Sequence, residues 1–257
     1  GRVAIITGAG GGLGCCHALL LAKEGAAVVV NDLGGSRDGK GGSSSMADQV
    51  VKEIQAAGGQ AVANYDSVAT VAGGENICKT AVDAFGKVDI LVNNAGATWG
   101  APAEDHPDEA WNKVMNLNIN AMFFLSREVG KRCMIPQKSG KVINIASVAG
   151  LSGSPKGMHA IAYHTSKGAA VNFTRTLASE WGRYNINVNA ICPGFFPSKM
   201  SQGLLSQIGD HIVDMTPLGR LGGDEDLMGT VVFLASAASR HITGQYIAVD
   251  GGACISK

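Results

Sequence analysis

The first 32 residues contain the pattern that most limits how this chain can fold. A short apolar run at residues 3–6 is followed by a glycine-rich segment at residues 7–14 and then by helix-forming residues. A second apolar run, residues 27–30, ends at Asn31 and Asp32. Short apolar runs bounded by turn residues are typical of buried strands. The order of strand, glycine-rich turn, helix and strand therefore predicts the start of a parallel α/β sheet.

The acidic residue Asp32 lies 18 residues beyond Gly14, the last glycine of the turn. Glycines in such a turn let the backbone approach a pyrophosphate, and the following helix N-terminus favours its negative charge. Asp32 is placed to accept hydrogen bonds from both hydroxyls of an adenosine ribose and would repel a 2′-phosphate. The pattern therefore predicts NAD rather than NADP as the cofactor. Arg37 is the opposing feature, because its guanidinium is suited to meet such a phosphate.

Apolar runs and helical patterns alternate through the rest of the chain. Further strands are predicted at residues 60–65, 88–92, 141–145, 186–191 and 245–249, with helices between them, the last at residues 224–235. One helical stretch, residues 107–133, is interrupted by Asn116, Asn118 and Asn120. Because asparagine is a poor residue for a helix interior, we expect a kink or a functional site there. Residues 1–257 are predicted to form a single doubly wound Rossmann-type α/β domain with a parallel sheet of about seven strands.

Polar and small residues follow several of the predicted strands. Asn93, Asn94, Ala95 and Gly96 follow one strand, and Ser147 follows another. Ligands of open α/β sheets bind at the carboxyl ends of the strands, so these residues are candidates for a site. Asn94 fits a ligand contact and structural support of the sheet equally well.

Three other segments have a less definite role. Asp66, with Ser67 beside it, follows a strand and either binds the adenine amino group or caps the next helix. Residues 34–45 are rich in glycine and serine and are predicted to form a surface loop near the adenosine end. Residues 195–216 contain a moderately amphipathic stretch and are predicted to form a lid or substrate loop, together with a pocket wall at residues 98–106.

Composition argues against several classes of protein. The chain carries 21 basic and 21 acidic residues, and a neutral chain without a basic stripe is not expected to bind nucleic acid. It has no apolar run of about 18 residues and no signal peptide before the first strand, so we expect no membrane association. Six cysteines without a Cys-x-x-Cys pair are typical of reduced thiols, which favours a cytoplasmic protein. Cys15, Cys16 and His17 are adjacent in a helix and point in different directions, so no metal site is predicted.

Tyr163 and Lys167 are four residues apart, which places them on one face of a helix. The helical spacing of Ala170, Phe173 and Leu177 supports that helix. An ammonium group beside a phenol favours the phenolate, so Lys167 is expected to lower the pKa of Tyr163. Such a tyrosine exchanges a proton with an alcohol or a carbonyl. The alternative is two residues that merely share a helix face.

Taken together and in order, these motifs resemble those of short-chain dehydrogenases/reductases along essentially the whole chain. The motifs are Thr7-Gly8-x-x-x-Gly12-x-Gly14, Asn93-Asn94-Ala95-Gly96, Asn118, Ser147, Tyr163-x-x-x-Lys167 and Pro193-Gly194. The N-terminal half is similar to the (3R)-hydroxyacyl-CoA dehydrogenase unit of peroxisomal multifunctional enzymes. The part from Ser147 onward is similar to bacterial ketoacyl reductases and polyol dehydrogenases.

The resemblance implies an NAD-dependent oxidoreductase that interconverts a secondary alcohol and a ketone. It makes Tyr163 the general acid/base and gives Lys167 two tasks, lowering that pKa and binding the nicotinamide ribose. Ser147 would hold the substrate oxygen, and Asn118 would position a water that relays the proton. The residues assigned to the cofactor are Gly8, Gly12, Leu13, Gly14, Asp32, Leu33, Asp66, Ser67, Asn94, Ala95, Tyr163, Lys167, Pro193, Gly194, Phe196 and Ser198.

The chain departs from the family pattern just before Tyr163. Ser147 precedes Tyr163 by 16 residues, a few more than expected for the family, and the extra length falls at residues 154–160. This segment is expected to border the substrate, and it leaves Ser152 as an alternative catalytic hydroxyl. His164 is expected to be a packed or exposed helix residue rather than a base.

A 3-hydroxyacyl thioester is the leading substrate class, and polyol, alicyclic or steroid alcohols are the alternatives. Lys156, Lys199 and Arg220 are candidates to meet a CoA phosphate. Members of the family assemble through helix faces such as residues 111–133 and 169–181 here, so we expect a homo-oligomer, a tetramer or a dimer. A non-catalytic NAD-binding subunit of a mixed oligomer is the remaining alternative, although none of its catalytic residues is degraded.

Overall fold

The computed structural model describes residues 1–34, 44–155, 157–198 and 200–256. Within these residues seven strands form one sheet in the order β3-β2-β1-β4-β5-β6-β7, and every neighbouring pair is parallel. The strands are β1 (Arg2–Thr7), β2 (Ala26–Asn31), β3 (Gln60–Asn64), β4 (Ile90–Asn93), β5 (Gly140–Ile145), β6 (Ile186–Pro193) and β7 (Tyr246–Val249). The predicted doubly wound sheet of seven strands is confirmed.

Helices cover both faces of the sheet. They are α1 (Gly12–Lys23), α2 (Ser45–Ala56), α3 (Val71–Phe85), α4 (Asp108–Met115), α5 (Ala121–Val129), α6 (Ile135–Gln137), α7 (Ile161–Trp181), α8 (Gln202–Met215) and α9 (Met228–Ala235). One apolar core contains residues of α1, α2 and α9, and a second contains residues of α3, α5 and α7. The central strands are buried on both faces, which explains why they read as continuous apolar runs in the sequence.

The predicted interruption of the long helical stretch is confirmed. Residues Asn116–Asn120 form a π-helical turn between α4 and α5, and Asn118 in its middle is buried. A second π-helical turn, Gly130–Met134, joins α5 to α6. Single π-helical turns are frequent at functional sites, because the extra residue redirects side chains.

The strand order reverses at β1, which has β2 on one side and β4 on the other. The Thr7 hydroxyl oxygen accepts hydrogen bonds from the backbone N–H groups of Asn94 and Ala95, both at 3.0 Å. The Asn94 side-chain amide donates to the carbonyl oxygens of Thr7 at 2.9 Å and Gly8 at 3.2 Å. These bonds assign Asn94 a supporting role at the reversal point, where α/β sheets open their binding crevice.

Some predicted boundaries differ from the observed ones. The last helix, expected at residues 224–235, begins only at Met228. Asp226 pairs with Arg220 through bonds of 2.6 and 2.9 Å and accepts from the Gly223 N–H at 2.7 Å, which holds a turn before the helix. Arg37, Lys156, Lys199 and most of the predicted loop at residues 34–45 lie outside the described residues. In the described part of the chain, no helix combines the length and apolar content that a membrane crossing requires.

Candidate active site

The glycine-rich turn after β1 leaves a space beside the first turn of α1. Gly8 and Gly12 have φ angles of +61° and +54°, in the left-handed region that glycine adopts without strain. A Cβ on Gly14 would lie 2.2 Å from the carbonyl oxygen of Gly8, so only glycine fits there. The first turn of α1 has no acidic residue and no side-chain cap, which leaves its N–H groups, including that of Leu13, for an anion. These features fit the pyrophosphate of a dinucleotide.

Asp32 follows β2 and lies at the other end of this space. Its carboxylate accepts hydrogen bonds from the backbone N–H groups of Gly10 at 2.8 Å and Gly34 at 2.7 Å. A Cβ on Gly10 would lie 2.9 Å from the Asp32 carboxylate, so this glycine allows the close approach. Each carboxylate oxygen keeps a second lone pair, so Asp32 is still able to accept from ribose hydroxyls. The exposed side chain of Leu33 lies next to it in the chain.

Asp66 and Ser67 follow β3 along the same edge of the sheet. The Asp66 carboxylate accepts from the side-chain amides of Asn64 at 2.8 Å and Asn76 at 3.0 Å. The interpretation that Asp66 caps the next helix is wrong. Thr70 caps α3, because its hydroxyl oxygen accepts from a backbone N–H of the first turn at 3.0 Å. The Ser67 hydroxyl accepts from a backbone N–H two residues later at 3.3 Å, and its carbonyl oxygen accepts from the Thr70 hydroxyl at 3.4 Å.

The residues predicted to be catalytic converge beside the ends of β4 and β5. The Asn118 side chain accepts from the Ala97 N–H at 2.8 Å and donates to the Ala97 carbonyl oxygen at 3.0 Å. The Lys167 Nζ donates to the carbonyl oxygen of Ile145 at 2.8 Å and lies 5.6 Å from the centroid of the Tyr163 ring. A Cβ on the intervening Gly96 would lie within 3.7 Å of both Asn118 Oδ1 and Lys167 Nζ. One small volume therefore contains the phenol, the ammonium group and the amide.

Ser147 reaches the same volume from the loop after β5. Its hydroxyl hydrogen-bonds to Tyr163 and also accepts from the Ala149 N–H at 3.1 Å. Ser152, the alternative source of the catalytic hydroxyl, is exposed, and its carbonyl oxygen lies 3.4 Å from His164 Nδ1. The structure thus brings Ser147 to Tyr163, and His164 packs against the loop of Ser152 as expected.

Burial dominates the protonation equilibria of the site. Burial raises the pKa of Tyr163, although the hydrogen bond with Ser147 opposes this effect. Burial lowers the pKa of Lys167 to about 8. The pKa of Tyr163 is thus raised where Lys167 was expected to lower it, because burial outweighs any effect of the ammonium group, which donates to the Ile145 carbonyl oxygen. The buried thiol of Cys192, which sequence reasoning did not single out, raises the pKa of Tyr163 further.

The segment after β6 closes the crevice from the other side. Pro193 ends β6, and the Gly194 N–H donates to the carbonyl oxygen of Val249 at 2.9 Å. The Phe196 side chain is buried in the apolar core that contains α9, so only its backbone remains for a cofactor. The Ser198 hydroxyl lies 3.0 Å from a second serine hydroxyl immediately before α8, which organises the start of that helix.

Two segments that were predicted to border the substrate meet in the structure. The Ala101 N–H donates to the His159 carbonyl oxygen at 3.1 Å, and Ala101 forms a parallel bridge with Ala160. Residues 98–106 and the inserted segment therefore form one wall at the N-terminus of α7. A cavity of about 110 Å³ between Phe196 and Arg220 is lined by none of the four predicted catalytic residues, so it is not the reaction site.

Comparison with known proteins agrees with this geometry. A family model described as enoyl-(acyl carrier protein) reductase matches residues 8–254. A 3-oxoacyl-[acyl-carrier-protein] reductase of Synechocystis sp. is 40% identical over 252 residues, covering 98% of this chain and 96% of that protein. The chain belongs to the short-chain dehydrogenase/reductase family.

Two further members of the short-chain dehydrogenase/reductase family are informative. The chain is 39% identical over 252 residues to a peroxisomal hydratase-dehydrogenase-epimerase of Neurospora crassa, covering 98% of this chain but only 26% of that protein. A crystal structure of a gluconate 5-dehydrogenase from Burkholderia cenocepacia, in complex with NADP and tartrate, matches with a TM-score of 0.90. It is 33% identical and covers 98% of this chain and 95% of that one.

Family membership confirms the predicted class of activity. As a short-chain dehydrogenase/reductase, the protein is an oxidoreductase that uses a nicotinamide dinucleotide to interconvert an alcohol and a ketone. Sequence reasoning missed several residues that shape the site, namely Gly10, Gly150, Ser166 and Cys192. Their roles depend on contacts with residues distant in the sequence, so no local spacing indicates them.

Proposed function

We propose that this protein is an NAD-dependent short-chain dehydrogenase/reductase that interconverts a 3-oxoacyl and a 3-hydroxyacyl thioester. The observation that carries the proposal is the convergence of Tyr163, Ser147, Lys167 and Asn118 beside the crevice that fits a dinucleotide. A proton donor for the substrate oxygen and a surface for the cofactor then lie next to each other. This is the arrangement that coupled hydride and proton transfer requires.

The nicotinamide ring would supply or accept the hydride when bound. Tyr163 gives its hydroxyl proton to the oxygen that forms when a ketone is reduced, and it removes that proton in the reverse direction. General acid–base catalysis of this kind contributes roughly 10²–10⁴-fold. A phenol whose pKa is raised by burial stays protonated at neutral pH, so it is in the form that donates a proton to a ketone oxygen.

Ser147 and Lys167 support Tyr163 in different ways. The Ser147 oxygen accepts one N–H, and its proton, which is directed at Tyr163 in this structure, turns to the substrate oxygen as charge develops there. Lys167 uses one N–H on the Ile145 carbonyl and has two left for a ribose hydroxyl and for a water. Its positive charge also favours the phenolate that forms when Tyr163 has given up its proton.

Asn118 organises the path by which Tyr163 recovers its proton. Both N–H groups of its side chain are already used, one on the Ala97 carbonyl and one on Ser166. The relay water must therefore donate to an Asn118 oxygen rather than accept from its amide. The Asn118 side chain therefore holds its own backbone and that of Ala97 in place.

NAD is proposed over NADP on the evidence of Asp32. Its carboxylate lies against the glycine-rich turn, where a 2′-phosphate would meet its negative charge. The gluconate 5-dehydrogenase relative binds NADP, so members of the family also accommodate that cofactor. Separate measurement of NADH and NADPH binding by fluorescence titration should show the tighter affinity for NADH, and the opposite order would overturn this choice.

The thioester class is supported by the relative from Synechocystis sp., whose name gives a 3-oxoacyl substrate. The Synechocystis protein is a 3-oxoacyl-[acyl-carrier-protein] reductase, and the Neurospora crassa protein contains a dehydrogenase. The wall formed by residues 98–106 and the inserted segment carries the exposed ring of Trp99, which suits an acyl chain better than a polyol. A gluconate-like polyol is the second candidate, since the Burkholderia cenocepacia relative acts on gluconate.

Three further features belong to the same proposal. Residues 195–216 act as a lid over the substrate, with a non-helical residue, Ile208, providing a bend inside α8. The exposed ring of Phe123 on α5 and the partly buried ring of Phe173 on α7 provide apolar surface for a homo-oligomer, a tetramer or a dimer. The free state of all six cysteines is consistent with a cytoplasmic enzyme.

The test is turnover of acetoacetyl-CoA, of gluconate and of a hydroxysteroid by wild-type protein and by Tyr163→Phe. We expect reduction of the thioester with NADH and a loss of at least about 100-fold in kcat in the variant. Tyr246→Phe, which removes the hydroxyl of an exposed tyrosine, is the matched control. Wild-type turnover by Tyr163→Phe would disprove the acid/base role, and turnover of gluconate alone would replace the thioester by a polyol.

A further inference from the structure

Ser166 lies between Tyr163 and Asn118 of the proposed catalytic group and is completely buried. Its hydroxyl donates to the backbone carbonyl oxygen of Tyr163 at 2.8 Å. The same oxygen accepts from the side-chain amide of Asn118 at 2.9 Å. One hydroxyl thus joins the helix that carries Tyr163 to the π-helical turn that carries Asn118.

We propose that Ser166 is a positioning residue that holds Asn118 in the orientation needed for the proton relay. This inference rests on the proposed function. A side-chain amide can rotate by half a turn and exchange its oxygen and nitrogen. Ser166 selects one of these two orientations, because its proton is committed to Tyr163 and its oxygen can only accept.

The other partner of the amide, Ala97, selects the same orientation but lies outside the helix that carries Tyr163, so only Ser166 ties Asn118 to that helix. The backbone of Ala97 offers both an N–H and a carbonyl oxygen to Asn118, at 2.8 and 3.0 Å. Loss of the Ser166 hydroxyl would leave a buried N–H of Asn118 without an acceptor. The π-helical turn would then shift to recover a partner, and the relay water would lose its fixed position.

The same helix contains a matched control two turns further on. The Thr174 hydroxyl donates to the carbonyl oxygen of Ala170 at 2.8 Å and accepts from the side-chain amide of Asn144 at 2.9 Å. Thr174 and Asn144 are as deeply buried as Ser166 and Asn118. This second pair has the same chemistry but does not touch the proposed catalytic group, so it separates the cost of losing a buried bond from an effect on catalysis.

The experiment compares Ser166→Ala with Thr174→Val in the reduction of acetoacetyl-CoA by NADH. We expect kcat of Ser166→Ala to fall about ten-fold, while the KM for NADH changes less than about two-fold. Its pH profile of kcat should also move, because the step that returns the proton becomes limiting. Ser166→Ala and Thr174→Val should lower the unfolding midpoint by similar amounts. Thr174→Val should leave kcat and its pH profile unchanged.

A double-mutant cycle with Asn118→Ala tests the route of the effect. If Ser166 acts through Asn118, removal of its hydroxyl causes no further loss of kcat in the Asn118→Ala background. Ser166→Cys keeps a weak acceptor at the same place and serves in the same cycle if Ser166→Ala does not fold; it should retain more activity than Ser166→Ala. Equal kcat and pH profiles in Ser166→Ala and Thr174→Val, or additive losses in the cycle, would overturn the inference.

The outcome is separable from that of the proposed function. A wild-type rate in Tyr163→Phe would mean that the reaction itself has been misassigned. A dead Tyr163→Phe together with an unaffected Ser166→Ala would leave the reaction in place and refute only the positioning role.

Discussion

His17 provides a test of how burial controls the helix that faces the dinucleotide. It lies in α1, is completely buried, and has no hydrogen-bond partner for either ring nitrogen among the described residues. Burial lowers its pKa from 6.5 to about 4. The native protein therefore keeps the neutral imidazole at pH values where the unfolded chain has already taken up a proton.

The sign and size of the effect follow from proton linkage. Above pH 6.5 neither state binds the proton, so the residue imposes no penalty there. As the pH falls from 6.5 to about 4, the unfolded state gains a proton that the native state does not, and unfolding becomes easier. Each pH unit in that interval costs about 1.4 kcal/mol, so the full loss is roughly 3 kcal/mol.

The assay is urea unfolding of wild type and of His17→Leu at fixed protein concentration and several pH values between about 4 and 7. Other groups titrate in this range too, so the relevant quantity is the difference between the two proteins. His17→Leu should gain roughly 3 kcal/mol relative to wild type at the acid end. His241→Leu, which removes an exposed histidine, is the control. A difference for His17→Leu that stays constant with pH would refute the reasoning, because the native imidazole would then titrate as in the unfolded chain.

Two further predictions concern the catalytic group. Gly150→Ala should lower kcat by at least about ten-fold, because a Cβ there would lie 2.5 Å from the Lys167 backbone and displace the loop of Ser147. The control is Gly153→Ala, where nothing lies within 4 Å of the added Cβ. Equal rates in the two variants would contradict the expectation. The kcat/KM for ketone reduction should decline as the pH rises through about 8, because burial lowers the pKa of Lys167 to that value and deprotonation removes the charge beside Tyr163. A rate profile that stays flat well beyond that pH would show that the lysine does not titrate there.

Much of the fold was predictable because its signals are local. The runs of apolar residues, the glycine-rich turn and the helical spacing around Tyr163 each depend on neighbours in the chain. A parallel sheet brings the carboxyl ends of its strands to one edge, so the positions of Gly8, Asn94 and Ser147 just after strands are enough to predict that they lie near one another. The three asparagines likewise predict an interruption of the long helical stretch, because asparagine is poorly suited to a helix interior, and the structure shows that it is a π-helical turn.

The pKa values and charges of the site residues were not predictable in the same way. The four-residue spacing of Tyr163 and Lys167 suggested a lowered phenol pKa, yet burial raises it, and the ammonium group donates to the Ile145 carbonyl oxygen. Desolvation depends on every atom that surrounds a group, and those atoms come from distant parts of the chain. Asp66 is a similar case, since Thr70 proved to be a better placed cap for the following helix.

By itself, the sequence determined the order of strands and helices, and it supplied the candidate residues for the dinucleotide crevice and for proton transfer. Tertiary structure alone decided which atoms those residues touch. Gly10 is required because Met46 and Asp32 pack directly against it, and Gly150 because the Lys167 backbone does. Ser166 is significant only because folding brings a π-helical turn, 48 residues earlier in the chain, within hydrogen-bond distance. Local spacing can predict which face of an element a residue occupies, but contact between elements depends on how they pack in three dimensions.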